Sequence, residues 1–162
     1  IGTSLNKNIS NSLNSLQNVI CKLVIVGNLN QKHINLLKNL EIQYKNYAGV
    51  SNSGIIKIYK DSDILLFASS YEGFGIPILE AQKIGIPVVT SRIDPMKYVA
   101  GKGAEFVNPN KIKSIESGLK RILTNKKYHK KLIMNGFKNQ KRFSKKKILK
   151  SYIKCYDELL SQ

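Results

Sequence analysis

Two carboxylates and a glycine turn hold the chemistry of this chain. In Tyr71-Glu-Gly-Phe-Gly-Ile-Pro-Ile-Leu-Glu80-Ala81, Glu72 and Glu80 flank a Gly-Phe-Gly-Ile-Pro turn. Such a pair first suggests acid and base work across one glycosidic bond, but the spacing argues against it. Glu72 precedes a helix that opens near Ile76, and Glu80 falls in its second turn. At ~1.5 Å per helical residue and ~3.3 Å per extended one, the two lie roughly 10 Å or more apart. A retaining hydrolase holds its pair ~5 Å apart and an inverting one ~6.5–9.5 Å, face to face. Two contacts on one elongated ligand fit better. Glu80 would accept hydrogen bonds from a diol, and Glu72 would reach a polar group at the other end. The amides of Gly73, Phe74, Gly75 and Ile76 would lie between them, near phosphate or sugar, because a helix start presents free N–H groups and partial positive charge. The competing reading is a plain turn before an ordinary glutamate that the helix dipole favours.

These residues need a strand before them and a helix after. Ile64-Leu-Leu-Phe-Ala68 is a short apolar run of the buried-strand type, and Pro77 suits a first helical turn, where its missing N–H loses nothing. Strand and helix patterns alternate along the chain, which predicts a parallel sheet with helices on both faces. Ile1-Gly2 reads as the end of a first strand. Asn8 caps a helix to about Val19. Strands follow over 22–26, 42–47, 64–68, 87–90 and 105–107. Helices fall at 31–39, 76–84 and, capped by Ser51, to about Lys60, with a short turn at 95–99. Gly85 closes the helix that Ile76 opens. After Asn110 come three helices, over 112–123, 127–141 and 145–160. The last has Ile148, Leu149, Tyr152, Ile153, Tyr156 and Leu160 on one stripe and lysines opposite. A helix docked on its own domain is the simplest reading of that stripe, and a basic amphipathic helix also suits an anionic bilayer. Ligands of doubly wound sheets bind at the carboxyl ends of strands. That places residues 3–7, 27–30, 49–51, 69–75 and 91–94 around one cleft, with Lys7 able to reach a diphosphate.

Glu72, seven intervening residues and Glu80 resemble the Glu-x7-Glu motif of retaining GT-B glycosyltransferases, most closely the bacterial group called glycosyltransferase family 4. The resemblance runs in the family's order through Asn6-Lys7-Asn8, Lys22-Leu-Val-Ile-Val-Gly27, Tyr47-Ala-Gly49-Val50-Ser51, Asp63-Ile-Leu-Leu-Phe67, Gly85-Ile-Pro87-Val-Val-Thr-Ser91, Gly101 and Val107-Asn-Pro109. It implies a Rossmann-like doubly wound sheet of about six strands with C-terminal helices, forming the C-terminal, donor-binding half of a GT-B enzyme. On this reading residues 1–162 are one nucleotide-sugar-binding domain, with the N-terminal acceptor domain outside the chain, and the C-terminal region, which in the GT-B fold crosses back to that other domain, leaves part of its stripe exposed. The opening Ile1-Gly-Thr-Ser, without Met or a signal-peptide pattern, is expected of an excised domain.

The resemblance also implies the roles. Glu72 and Lys7 act at the reacting bond, with Lys7 matching the family's phosphate-binding lysine. Glu80 holds the ribose hydroxyls of a UDP- or GDP-linked hexose. Gly73, Phe74, Gly75 and Ile76 hold sugar and phosphate, and the backbone at Gly49 and Val50 brackets the base. The sugar passes with retention to a glycan or lipid-linked acceptor of a bacterial surface polysaccharide, and neither metal nor other cofactor is required. The expected location is the cytoplasm, with peripheral attachment at the inner membrane face, and the isolated domain is expected to bind nucleotide but transfer poorly. Some positions depart from the pattern. Thr3 follows Gly2 where many members carry arginine, Tyr98 replaces a frequent Glu, and Lys102 a frequent Asp. A nucleotide-binding or membrane-docking domain of the same fold that has lost catalysis is the alternative.

Composition sets outer bounds. At 162 residues and 42% hydrophobic content the chain suits a single globular domain. No apolar run approaches the ~20 residues of a membrane helix. Cys21 and Cys155 have no metal-type spacing and read as buried thiols in a reducing compartment. A formal charge of +17 suggests a phosphorylated ligand or an anionic surface. No aromatic-interleaved RNA motif accompanies it, so nucleic acid is not an expected partner. A dehydrogenase is disfavoured because Gly-x-Gly-x-x-Gly is missing after the first strand.

Overall fold

The alternation of apolar strands and amphipathic helices builds a parallel α/β domain. The computed structural model describes residues 1–161. A 3-10 turn over Leu5–Lys7 leads into α1 (Ile9–Asn14), β1 (Leu23–Val26), α2 (Gln31–Asn39), β2 (Tyr44–Tyr47), α3 (Asn52–Lys60), β3 (Leu65–Phe67) and α4 (Ile76–Ile84). Then come β4 (Val88–Ser91), α5 (Met96–Ala100), β5 (Ala104–Val107), α6 (Ile112–Thr124), α7 (Lys126–Gln140), a second 3-10 turn over Lys141–Phe143, and α8 (Lys145–Leu160).

The strands number five among the described residues, not six, and form two sheets. One has β1 parallel to β2, and the other has the parallel order β3-β4-β5. Ile1-Gly2, expected to end a first strand, is not a strand. Its backbone tie to β1 is Gly2 N–H donating to Val26 O at 2.8 Å, and two residues are too few to build a ladder. β1 and β3 thus each pair on one edge alone, and residues of both line a cavity of about 840 Å³.

Period-two alternation distributes β4 between two cores. Val88 packs with Tyr59, Phe67, Ile78 and Met96, whereas Val89 packs with Ile115, Leu119 and Ile122. Helices therefore cover both faces, and all four β4 residues are buried. A polar network ties α4, α5 and α7 together. Gln82 Nε2 donates to Ala100 O (2.9 Å) and Gly103 O (3.2 Å). Asn139 Nδ2 donates to Gln82 Oε1 (2.8 Å) and Val99 O (2.7 Å). Both side chains are buried, and their amide groups are satisfied as burial demands.

Three expectations are corrected. The first helix ends at Asn14 rather than near Val19. Its Ser and Asn side chains turn back on the backbone, Asn14 Nδ2 onto Ser10 O and Ser15 Oγ onto Ser12 O, the competition that makes these residues poor in helix interiors. The stripe on α8 does not dock on this domain. No α8 residue is buried, and Ile148, Leu149, Tyr152, Ile153, Tyr156 and Leu160 are exposed, because the helix leaves the domain at Ser144 and its lysines keep it solvated. Cys21 and Cys155 are free and exposed rather than buried, since one lies in the loop before β1 and the other on α8.

On α6, Glu116 sits between Lys120 (2.6 Å) and Lys113 (3.0 Å). The hydrogen bond from Lys120, then that from Lys113, holds its carboxyl down to about 2 from the ordinary 4.5. A depressed folded-state value means the pair's stabilisation is fully present above pH 4.5 and is lost as pH falls toward 2. A carboxyl-carbon NMR titration should place the Glu116 midpoint near 2, and Lys120→Ala should move it upward.

Candidate functional site

Three segments make up the candidate site, the first two joined by contacts at the carboxyl end of β3. The first is Asn6-Lys7-Asn8. Asn8 takes a left-handed backbone (φ 53°), which Asn tolerates better than most residues. Its Nδ2 donates to Ala68 O (3.0 Å) and Pro109 O (2.7 Å). Asn6 O accepts from Ser70 N–H at 2.8 Å, and Asn6 Nδ2 donates to Tyr71 O at 2.8 Å. The two asparagines thereby staple this segment to the loop after β3.

The staple brings Lys7 to Glu72. Lys7 Nζ lies 2.7 Å from Glu72 Oε1, and the side chains retain 17% and 11% of their accessibility. Asn6 Nδ2 adds a longer contact to the same oxygen (3.4 Å), and the Lys7 ammonium lies 4.6 Å from the centre of the Phe67 ring. An ammonium has three donors, and Glu72 takes one. Two remain for an anion, in a place where water competes less than on the open surface.

The second segment is the loop 72–75 and the start of α4. Gly75 is the N-cap with φ 100°, a conformation that favours glycine, and Pro77 lies in the first turn. Among the described residues the N–H groups of Gly73, Phe74, Gly75 and Ile76 donate no hydrogen bond. A Cβ placed on Gly73 would meet nothing within 4 Å. The loop is therefore a row of undonated amides at a helix N-terminus, next to a lysine. Phe74 packs edge-on against Phe143 (5.7 Å between centroids), and Phe143 against Tyr98 (6.0 Å), with Arg142 over Tyr98 at 5.0 Å. Tyr98, one of the departures from the family pattern, thus braces the loop through Phe143.

The third segment is Glu80 with α3. Glu80 is not an ordinary surface glutamate. Its Oε2 accepts from the Tyr59 hydroxyl at 2.9 Å, and Tyr59 is buried. Burial first, then the Glu80 carboxylate, raises the Tyr59 phenol far above its usual range, so it remains a donor at any physiological pH. Gly49 and Val50 lie between β2 and the Ser51 cap of α3. Gly49 has φ 64° and open space where a Cβ would stand.

The structure therefore joins Lys7 to Glu72, sets Gly73, Phe74, Gly75 and Ile76 beside them, and places Glu80 further along α4. Gly49 and Val50 connect to Glu80 through α3 and Tyr59. The 840 Å³ cavity is not this site. It lies mostly between the sheets, is lined largely by apolar side chains, and takes in Lys7 on its wall. Chemistry follows the polar groups, so the loop and not the larger void is the candidate. Sequence reasoning missed Tyr59, which reads as one more apolar position on its helix, and Phe143, hidden between two charged stretches. Among the described residues no group of three or more His, Cys, Asp or Glu gathers as a metal-ligand set.

The family model described as glycosyl transferases group 1 matches residues 4–139. An O-antigen chain mannosyltransferase B of Escherichia coli is 30% identical over 103 residues, which are 64% of this chain and 26% of the relative. The chain thus spans about a quarter of that relative's length. A glycosyltransferase from Rickettsia africae superimposes with a TM-score of 0.85 at 21% identity, over 99% of this chain and 46% of its own. The C-terminal domain of a glycosyl transferase group 1 family protein (LpcC) from Francisella tularensis does so at 0.72 and 22%, over 91% of this chain and 83% of its own.

Proposed function

The chain belongs to the group 1 glycosyltransferases, within the GT-B fold, and from that premise we propose that residues 1–162 bind the nucleotide-sugar donor of a retaining hexosyltransferase. The observation that supports this best is Lys7, set by Glu72 against four undonated amides at the mouth of α4. That arrangement suits a diphosphate. When the bond from the sugar C1 to the diphosphate breaks, negative charge builds on the leaving oxygen. A fixed ammonium and oriented amides stabilise such charge without rearranging at the moment of reaction. Glu80 accepts from vicinal hydroxyls of a ribose, a role supported by its having one oxygen held and the other free of hydrogen bonds among the described residues. Glu72 meets the sugar, and the backbone at Gly49 and Val50 faces the base. Metal is not required, because Lys7 and the amides supply the positive field.

The acceptor-binding groups belong to a further domain of the intact enzyme, and the acceptor is a glycan or a lipid-linked sugar. The mannosyltransferase names among the relatives make a nucleotide-linked mannose the first donor to try. The exposed stripe and lysines of α8 support a second contact, with an anionic membrane surface at the cytoplasmic face.

Calorimetric titration with UDP, GDP and their mannose and glucose conjugates tests the reading. One nucleotide should saturate the chain, and Glu80→Ala should weaken it about tenfold, the worth of a charge-assisted hydrogen bond. A chain that binds none of them, or binds all indifferently to Glu80→Ala, overturns the donor-site assignment. The isolated domain should transfer little sugar to an added acceptor.

A further inference from the structure

We propose that Tyr59 is a positioning residue that makes this site selective for ribose, by holding one oxygen of Glu80 so that the other faces the ligand diol. The inference rests on the donor-site reading of Glu80 and goes beyond it, because Tyr59 is buried and acts through Glu80. A glutamate near a helix start has three rotatable bonds, and fixing them on binding has an entropic cost. Here that cost is met on folding. The Tyr59 hydroxyl donates to Glu80 Oε2 at 2.9 Å, its next acceptor, Pro77 O, stands at a marginal 3.5 Å, and the ring is buried beside Ile78 and Phe67. A buried tyrosine hydroxyl needs a partner, so the bond fixes both groups. It leaves Oε1 without a hydrogen bond among the described residues.

Tyr59 also lies in the last turn of α3, the helix whose Ser51 cap follows Gly49 and Val50. One helix thus joins the segment assigned to the base with the carboxylate assigned to the ribose. The two subsites keep their spacing through a single rigid element rather than through the ligand.

The test is an affinity ratio measured on the intact protein with UDP and GDP and their 2′,3′-dideoxy counterparts. For the nucleotide that binds, the parent protein should prefer ribose at least about tenfold. Tyr59→Phe keeps the ring and removes only the hydroxyl. It should bring the ratio most of the way to one, chiefly by weakening the ribonucleotide, and Glu80→Gln should do the same. A Tyr59→Phe protein that binds both nucleotides more weakly at an unchanged ratio has lost only packing, and that result overturns the inference. A ratio that survives Tyr59→Phe but collapses in Glu80→Gln overturns the inference and leaves the donor-site reading standing. A parent protein with no preference for ribose, or with no nucleotide binding, overturns both.

Discussion

Lys7→Ala should lower the rate of sugar transfer in the intact enzyme by roughly 10²- to 10³-fold, the scale seen when one preorganised donor to a developing negative charge is removed. Nucleotide affinity should fall much less, because the undonated amides of residues 73–76 remain. Ground-state binding and charge stabilisation are then separable, and the fall should appear mainly in kcat. The substitution also strands Glu72, which keeps 11% accessibility and has Lys7 as its ion-pair partner. A double variant, Lys7→Ala with Glu72→Gln, removes the stranded charge and should recover stability without recovering the rate. Lys7→Arg keeps the charge but puts a broad planar fork in place of a compact ammonium, so its rescue should be partial. Steady-state kinetics with saturating acceptor decides the matter. A kcat within threefold of the parent would remove Lys7 from the reacting bond.

Gly103→Ala should destabilise the domain by about 3 kcal/mol, the upper range for overpacking a close contact. A Cβ at Gly103 would stand 2.6 Å from Gln82 Nε2, 2.7 Å from Gly136 Cα and 2.8 Å from Gly136 N. The first of these is a side-chain tip, but the other two are backbone of α7 and move only if that helix moves. Moving α7 would pull Asn139 off Gln82 and Val99, leaving buried amides short of partners. For a domain of this size the loss corresponds to a fall in Tm of about 10 °C, read by calorimetry. Gly73→Ala is the control. Its Cβ would meet nothing within 4 Å, so thermal stability should barely change.

What the sequence made legible follows from where local rules had no competitor. The helix over Ile76–Ile84 was readable to the residue, because Gly75 and Gly85 both adopt left-handed backbone and Pro77 fixes the first turn. Strands β1, β3 and β4 were readable from apolar runs, whereas β2, Tyr-Lys-Asn-Tyr and fully exposed, offers no such run, and Ile1-Gly2 was misread as the end of a strand. Asn8–Val19 was not, because serine and asparagine side chains compete for their own backbone, and apolar spacing says nothing of that. Strand-end topology set Lys7 and Glu72 in one cleft, but their direct pairing, across 65 residues, was not legible in the sequence. No periodicity predicts a contact of that span. Tyr59 was lost because a buried tyrosine at helical spacing looks like core until its hydroxyl's partner is known. For the α8 stripe, docking on its own domain was the wrong one of the two readings, since amphipathicity shows that a face suits burial but not which surface covers it.

The division of the strands into two sheets has a consequence for how the domain breathes. Around β1, β2 and α2 the compact cluster has three buried side chains, Leu13, Ile25 and Leu37, whereas the clusters on the two faces of β4 are several times larger. All four residues of β2 are exposed. Cooperative units with few buried contacts open first, so amide protons of β2 should exchange through local opening long before those of β4. Gly49 and Val50 sit directly after that strand. A nucleotide seated there would close its own weakest wall, and the protection it confers would rise with the logarithm of its concentration.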